Sequence, residues 1–249
     1  MEKKSAQNFY NTLSADYDSM INFDASILKR KEALKNFISA EDETAADLGC
    51  GSGLDSIALS QLGLKVTGFD ISEDMINAAA GNAARYKADA EFHAFPMNHI
   101  PKQFNNKFSL AVSLGNSIAN IEKKKLIPSL ARMHSVLKPG GHILIQILNY
   151  ERILAAKERI VGITQKENST FIRFYDFEKE RTFFNILKIE KTEKIQHALI
   201  TTEIFPYKSA ALIKLVKDAG FKKVQKYGGL NRSDYIAGQS PDLVLSAYK

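Results

Sequence analysis

Apolar positions along the chain switch repeatedly between a period near 3.6 and a period of two, the mark of helices alternating with strands. Residues 8–40 read as helical, with Ile27, Leu34, Phe37 and Ile38 spaced among Lys29, Arg30, Lys31 and Glu32. Residues 44–48 form a short apolar strand ending in glycines, after which Leu54, Ile57, Ala58 and Leu62 share one helical face. The alternation continues with strands at 64–69, 90–95, 108–114 and 142–148 and helices at 72–84 and 126–137. Pro128 belongs in the first turn of the latter helix, where its missing N–H costs no bond, and Lys138-Pro139-Gly140-Gly141 stops it. Elements alternating at this spacing predict an α/β fold, a parallel sheet with helices on both faces.

The pattern breaks after Tyr150. A helical stretch at 151–161 precedes three period-two runs, 170–177, 182–190 and 195–205, joined by charged links at 178–181 and 191–194. Short polar links of this kind predict an antiparallel three-stranded insertion. A last helix, with Ala211, Leu212, Leu215, Val216 and Ala219 inward, ends at Gly220 as its cap, and strands at 222–227 and 243–248 follow. The chain therefore divides into an N-terminal helical segment, 1–43, an α/β domain, 44–150 with 207–249, and an antiparallel β insertion, 151–206.

Composition narrows the function classes. The 249 residues are 45% hydrophobic and 25% charged, which fits a folded protein and excludes collagen-like and disordered classes. The single cysteine, Cys50, excludes an intramolecular disulfide framework. The opening residues lack the apolar core of a secretory signal, and no apolar run approaches the roughly 18 residues of a membrane span. A cytoplasmic protein without a membrane partner is expected. The net charge of +6 suggests nucleic acid at first sight. Residues 1–140 hold 16 basic and 16 acidic residues, however, and residues 141–249 hold 18 and 12. The lysines of that second part are interleaved with acids such as Glu178, Glu180, Glu190 and Glu193, so the excess reads as a solvated surface rather than a nucleic-acid footprint.

The chemistry concentrates in two places. Asp47-Leu48-Gly49-Cys50-Gly51-Ser52-Gly53 joins the first strand to the next helix, and its alternate glycines let the backbone turn sharply and approach a ligand. No G-x-x-x-x-G-K-[ST] occurs, which excludes a P-loop. Asp70 ends the second strand, 17 residues beyond Gly53, where a carboxylate accepts hydrogen bonds from both ribose hydroxyls of an adenosine ligand or caps the helix at Ser72. Asp47, at the buried end of its strand, needs a donor from the glycine loop or from a ligand ammonium. Cys50 reads as a small packing residue of the loop.

These residues resemble the fingerprint of class I S-adenosylmethionine (SAM) methyltransferases, and the resemblance runs through residues 46–79. Lys138-Pro139-Gly140-Gly141 and Asp218-Ala219-Gly220-Phe221 match it further along. The resemblance implies a Rossmann-like seven-stranded sheet, mostly parallel with the last strand reversed. It implies SAM as cofactor, S-adenosylhomocysteine as product, and cofactor contacts from Asp47, Gly49, Cys50, Gly51, Gly53, Asp70, Ile71 and Ser72. Met75 would pack on the adenine. Phe95 stands where many relatives carry an acid near the adenine amine, so Phe95, Pro96 and Met97 are adenine candidates or ordinary core residues.

Leu114-Gly115-Asn116-Ser117-Ile118-Ala119-Asn120 is similar to the segment after the fourth strand in glycine N-methyltransferases and related small-amine N-methyltransferases. That implies Leu114 and Gly115 along the methionine moiety of SAM and Asn116 toward the acceptor. Asn149-Tyr150 matches the same group, but the arginine that precedes this pair and grips the substrate carboxylate there is Leu148 here.

Methyl transfer from a sulfonium is an in-line displacement that needs positioning rather than a nucleophilic triad. No His or Cys cluster suggests a metal. Tyr10 and Tyr17 belong to the N-terminal segment, which folds in this family as a lid over SAM. Arg30 or Lys29 suits the SAM carboxylate, or either is a surface cation. Alternation places Phe171, Arg173, Tyr175 and Phe177 on one face, an acceptor pocket with one charge among aromatics unless Arg173 reaches out to water. The expectation is a SAM-dependent methyltransferase acting on a small molecule, at nitrogen, with Asn116, Tyr17, Tyr150, Arg173 and Tyr175 at the reacting end. RNA or protein methylation, and SAM binding by a regulator without turnover, are the alternatives.

Overall fold

The structure, a computed structural model, describes residues 5–191 and 195–249. Two helices open it, α1 (Ala6–Ile21), capped by the Ser5 hydroxyl accepting the Asn8 N–H, and α2 (Phe23–Leu34). The helical stretch expected over 8–40 is thus broken at Asn22, whose left-handed φ of +54° cannot continue a right-handed helix. There follow β1 (Thr44–Leu48), α3 (Leu54–Ser60), β2 (Lys65–Asp70), α4 (Glu73–Tyr86), β3 (Ala90–Ala94), β4 (Phe108–Ser113), α5 (Lys123–Val136) and β5 (Leu137–Leu148). Two boundaries differ from expectation. α5 begins at Lys123, so Pro128 sits in its second turn, where it removes a helical hydrogen bond. β5 begins at Leu137, so Lys138-Pro139-Gly140-Gly141 is the irregular start of that strand, with its register shifted against β4.

The insertion comprises α6 (Tyr150–Ala156), β6 (Ile160–Gln165), β7 (Ser169–Phe177), β8 (Thr182–Glu190) and β9 (Gln196–Ile204). It holds four antiparallel strands in sequence order, one more than the sequence pattern showed. The link at 191–194 lies outside the described residues except for Lys191. The chain ends with α7 (Ser209–Asp218), β10 (Lys222–Tyr227) and β11 (Asp242–Tyr248), and Gly220 takes a φ of +100° just beyond α7. Ser209 donates its N–H and its hydroxyl to Glu151 Oε1, at 3.1 and 2.8 Å, so the two ends of the insertion meet.

The large sheet runs β10-β11-β5-β4-β1-β2-β3, with β11 antiparallel to its neighbours and the remaining pairs parallel. Its central strands are buried on both faces, as apolar runs in a parallel sheet must be. From β1 the chain winds outward to β3 on one side, then returns at β4 and winds the other way. The switch between β1 and β4 opens a crevice beyond their carboxyl ends, the place where open α/β sheets bind ligands. Helix α1 closes that crevice from above. Its Phe9, Leu13 and Met20 pack with Phe171, Ile186 and Ile200 of the small sheet in one apolar cluster.

Candidate functional site

The loop after β1 turns back over the strand ends through three left-handed glycines, Gly49, Gly51 and Gly53. Gly49 sends its N–H to Phe69 O at 2.7 Å, and a Cβ there would lie 2.8 Å from Met97 Cε and from the Ser117 side chain. Only glycine fits that place. At the end of β2, Asp70 accepts the Gly51 N–H on Oδ2 at 3.0 Å and the Ser72 N–H on Oδ1 at 2.9 Å. Each carboxylate oxygen keeps a second acceptor site. Burial raises the Asp70 pKa, and the N–H groups of Ser72, Gly51 and Ile71 oppose the rise.

A cavity of about 1110 Å³ opens above these strands. This slightly exceeds the ~300–1,000 Å³ common for small-molecule sites, which suits a cofactor together with a second ligand. Across the sheet from β3 to β11, its floor is Phe95, Pro96 and Met97, then Asp70 and Ile71, then the loop of Gly49, Cys50 and Gly51, then Leu114, Gly115 and Asn116, then Gln146 and Asp242. The Gly115 N–H donates to Gln146 Oε1 at 2.9 Å. Arg30, from α2, also lines the cavity; its Nε lies 2.8 Å from Asp55 Oδ1 and its Nη1 donates to Gln146 Oε1 at 3.5 Å.

The roof is aromatic. Tyr10 and Tyr17 come from α1, Arg173 and Tyr175 from β7 and Phe184 from β8. The Tyr10 and Tyr17 rings meet edge to face, with centroids 6.3 Å apart, and Asn120 Nδ2 donates to the Tyr10 hydroxyl at 3.2 Å. Burial raises the Tyr10 pKa and pushes those of Tyr17 and Tyr175 up to about 12. These phenols remain neutral near pH 7 and act as hydrogen-bonding groups rather than bases.

Five expected site residues stand behind the cavity wall. Asp47 accepts the Ser56 hydroxyl at 2.7 Å, not a donor from the glycine loop or from the cavity. Burial and then the nearby Asp55 push its pKa up to about 8. Gly53, at φ +89°, starts α3, and Ser72 caps α4 by accepting the Met75 N–H at 3.1 Å. Met75 is fully buried and does not line the cavity. Tyr150 is buried beneath Asn116, whose Nδ2 donates to its hydroxyl at 2.7 Å. Conversely, Asp55, Gln146 and Asp242 line the cavity although they belong to none of the sequence motifs above. Gln146 left a trace as the one polar interruption of the apolar run 143–148.

These features test whether SAM fits. Asp70 offers two acceptor sites for a ribose diol, Arg30 carries a charge for a carboxylate, and the glycine loop is a cradle that a Cβ would fill. The residues present fit the cofactor. With the strand order and the crevice at the switch point, they give a Rossmann-like fold whose cavity has room for an adenosine cofactor.

Comparison with known proteins makes the class specific. Residues 45–141 match the family described as "Methyltransferase domain". This chain carries a SAM-dependent methyltransferase domain with the class I fold. It is 25% identical over 225 residues to a carboxy-S-adenosyl-L-methionine synthase of Nautilia profundicola, 87% of either chain. It is 30% identical over 149 residues to a demethylmenaquinone methyltransferase of Staphylococcus epidermidis, 57% of this chain and 60% of that one. A glycine N-methyltransferase of Oryctolagus cuniculus is 26% identical over 123 residues, 44% of this chain and 42% of that one. The fold is shared with a solved SAM-dependent methyltransferase of Clostridium acetobutylicum, at a TM-score of 0.78 and 17% identity, covering 96% of this chain and 98% of that one. Among the described residues, no helix is long and apolar enough to cross a membrane and no group of metal-ligating side chains occurs.

Proposed function

We propose that this enzyme methylates a small cytoplasmic molecule, with nitrogen as the favoured nucleophile. The observation that carries the reading is the cavity itself, whose floor suits the cofactor while its roof of Tyr10, Tyr17, Arg173 and Tyr175 leaves room for a compact acceptor. Nitrogen is supported by the motif at 114–120 and by Asn149-Tyr150, which resemble small-amine N-methyltransferases. SAM supplies, when bound, a methyl group on a sulfonium.

In this reading Asp70 holds the ribose hydroxyls, Arg30 the carboxylate, and Ile71, Phe95, Pro96 and Met97 enclose the adenine. The glycine loop with Leu114 and Gly115 supports the methionine chain. Asn116 orients the acceptor with its amide locked in place, its Oδ1 accepting the Leu148 N–H at 3.0 Å. Tyr17 and Tyr175 hydrogen-bond the acceptor from above. The enzyme's task is to hold nucleophile and methyl roughly 3–3.5 Å apart and in line. An amine must attack in its neutral form, and water takes its proton as the bond forms. Residues 1–43 then serve as a lid and 151–206 as a cap that excludes bulk water and macromolecular acceptors. The test is incubation with SAM and a fractionated metabolite pool. S-adenosylhomocysteine must form above the no-acceptor control, and the methyl group must be found on nitrogen in the product.

A further inference from the structure

The carboxylates that line the cavity already have partners. Asp55 pairs with Arg30, and Asp70 holds two backbone N–H groups. Glu122 lies 3.1 Å from Lys124 and Glu203 lies 3.7 Å from Arg181, while Asp242 is hydrogen-bonded by Gln146. Arg173 differs. Its Nη2 donates to the neutral Thr164 Oγ1 at 3.3 Å, and its Nε is buried without a hydrogen-bond partner among the described residues. Burial lowers its pKa, as expected for a cation without a counter-charge.

The fold makes a place for this guanidinium. Gly162 on β6 pairs with Arg173 on β7, and a Cβ at Gly162 would lie 2.8 Å from Nη2. Arginine keeps its charge even when buried, and a buried charge is costly until something pairs with it. Leu148 supplies no cation beside Asn149; of the other cations along the cavity, Lys29, Arg30 and Lys125, Arg30 is paired with Asp55.

We propose that Arg173 binds an anionic group, a carboxylate or a phosphate, carried by the methyl acceptor. The proposal rests on the acceptor-cavity reading above and adds a substrate class to it. Tyr175 lies two residues along the same strand, about 6.7 Å by strand rise, and hydrogen-bonds to Tyr150, which in turn holds Asn116. The anion therefore sits one strand repeat from the reacting end. The acceptor carries its nucleophile and its charge several bonds apart.

The test uses protein saturated with S-adenosylhomocysteine, so that the cofactor site is filled, and three probes: benzoate, phenyl phosphate and the neutral benzamide. Calorimetry or ligand-observed NMR should show at least one anion binding about tenfold or more tighter than benzamide, the value of one charged hydrogen-bonded contact. Arg173→Gln should abolish that preference and leave affinity for S-adenosylhomocysteine within about twofold of wild type. Gly162→Ala, which crowds the guanidinium while keeping its charge, should weaken the same preference. Which anion binds more tightly distinguishes a carboxylate from a phosphate source. Equal binding of all three probes, or a preference that survives Arg173→Gln, overturns the proposal. So does an equal loss of S-adenosylhomocysteine affinity in Arg173→Gln, which would assign Arg173 to the cofactor. Failure of methyl transfer itself appears in the separate turnover assay.

Discussion

Asn116 Nδ2 lies 2.7 Å from the Tyr150 hydroxyl while Asn116 Oδ1 accepts the Leu148 N–H, so the amide is fixed at both ends and cannot flip without losing both bonds. Tyr150 thereby positions a cavity residue without entering the cavity. Tyr150→Phe should lower kcat about tenfold and cost about 2 kcal/mol of stability, because the hydroxyl bonds both Asn116 and Tyr175. SAM affinity by calorimetry should stay unchanged. An unaltered kcat would show that the orientation of Asn116 is irrelevant to transfer.

Asp70 places its carboxylate where two further donors can reach it. Charge-assisted bonds are worth about 1.5–3 kcal/mol each, so Asp70→Ala should weaken SAM binding by about a hundredfold or more. Titration calorimetry reads this directly, and unchanged affinity would remove Asp70 from the cofactor site.

Gly49 and Gly140 both adopt left-handed φ, +84° and +80°, but only Gly49 is crowded. Gly140→Ala should cost about 1 kcal/mol, the price of the conformation alone. Gly49→Ala adds the clash with Met97 and Ser117 and should cost several kcal/mol more, with loss of SAM binding. Chemical denaturation of the two variants separates the contributions, and equal costs would contradict the close approach of the loop.

Asp47 is an acid whose folded pKa is raised above its unfolded value near 3.8 by burial. Between about pH 4 and 8 the folded state therefore binds more protons than the unfolded state, and stability falls as pH rises through that window. One such group gives a slope of at most about 1.4 kcal/mol per pH unit. Asp47→Asn keeps a polar partner for the Ser56 hydroxyl and should flatten the slope. A pH–stability profile identical to wild type would refute the assignment.

The α/β half of the molecule is legible because its strands are apolar runs separated by amphipathic helices, and its glycine loop, 47–53, is one contiguous segment. β6 was not legible. It is a short edge strand broken by Gly162, and its Ile160 and Ile163 are more than half exposed, so it carries no buried-face alternation. Asp55, Gln146 and Asp242 escaped for a different reason. They meet only because α2 packs on α3 and β11 pairs with β5, contacts between residues far apart in sequence. Met75 stands outside the cavity lining because its spacing puts it on the first turn of α4 without fixing which way that turn faces.

The bond between Ser209 and Glu151 has a consequence for how this enzyme can change. A stretch of more than fifty residues, including Arg173 and Tyr175, leaves and rejoins the sheet at this hydrogen-bonded gate, just after Phe205 N–H and the Tyr207 hydroxyl donate to Ala119 O and Ile121 O. Closing a longer or shorter loop across that gate alters the chain entropy only slowly with length. The strands that bring Arg173 and Tyr175 to the cavity thus change length without disturbing the large sheet, and α1, packed on the same small sheet, must change with them.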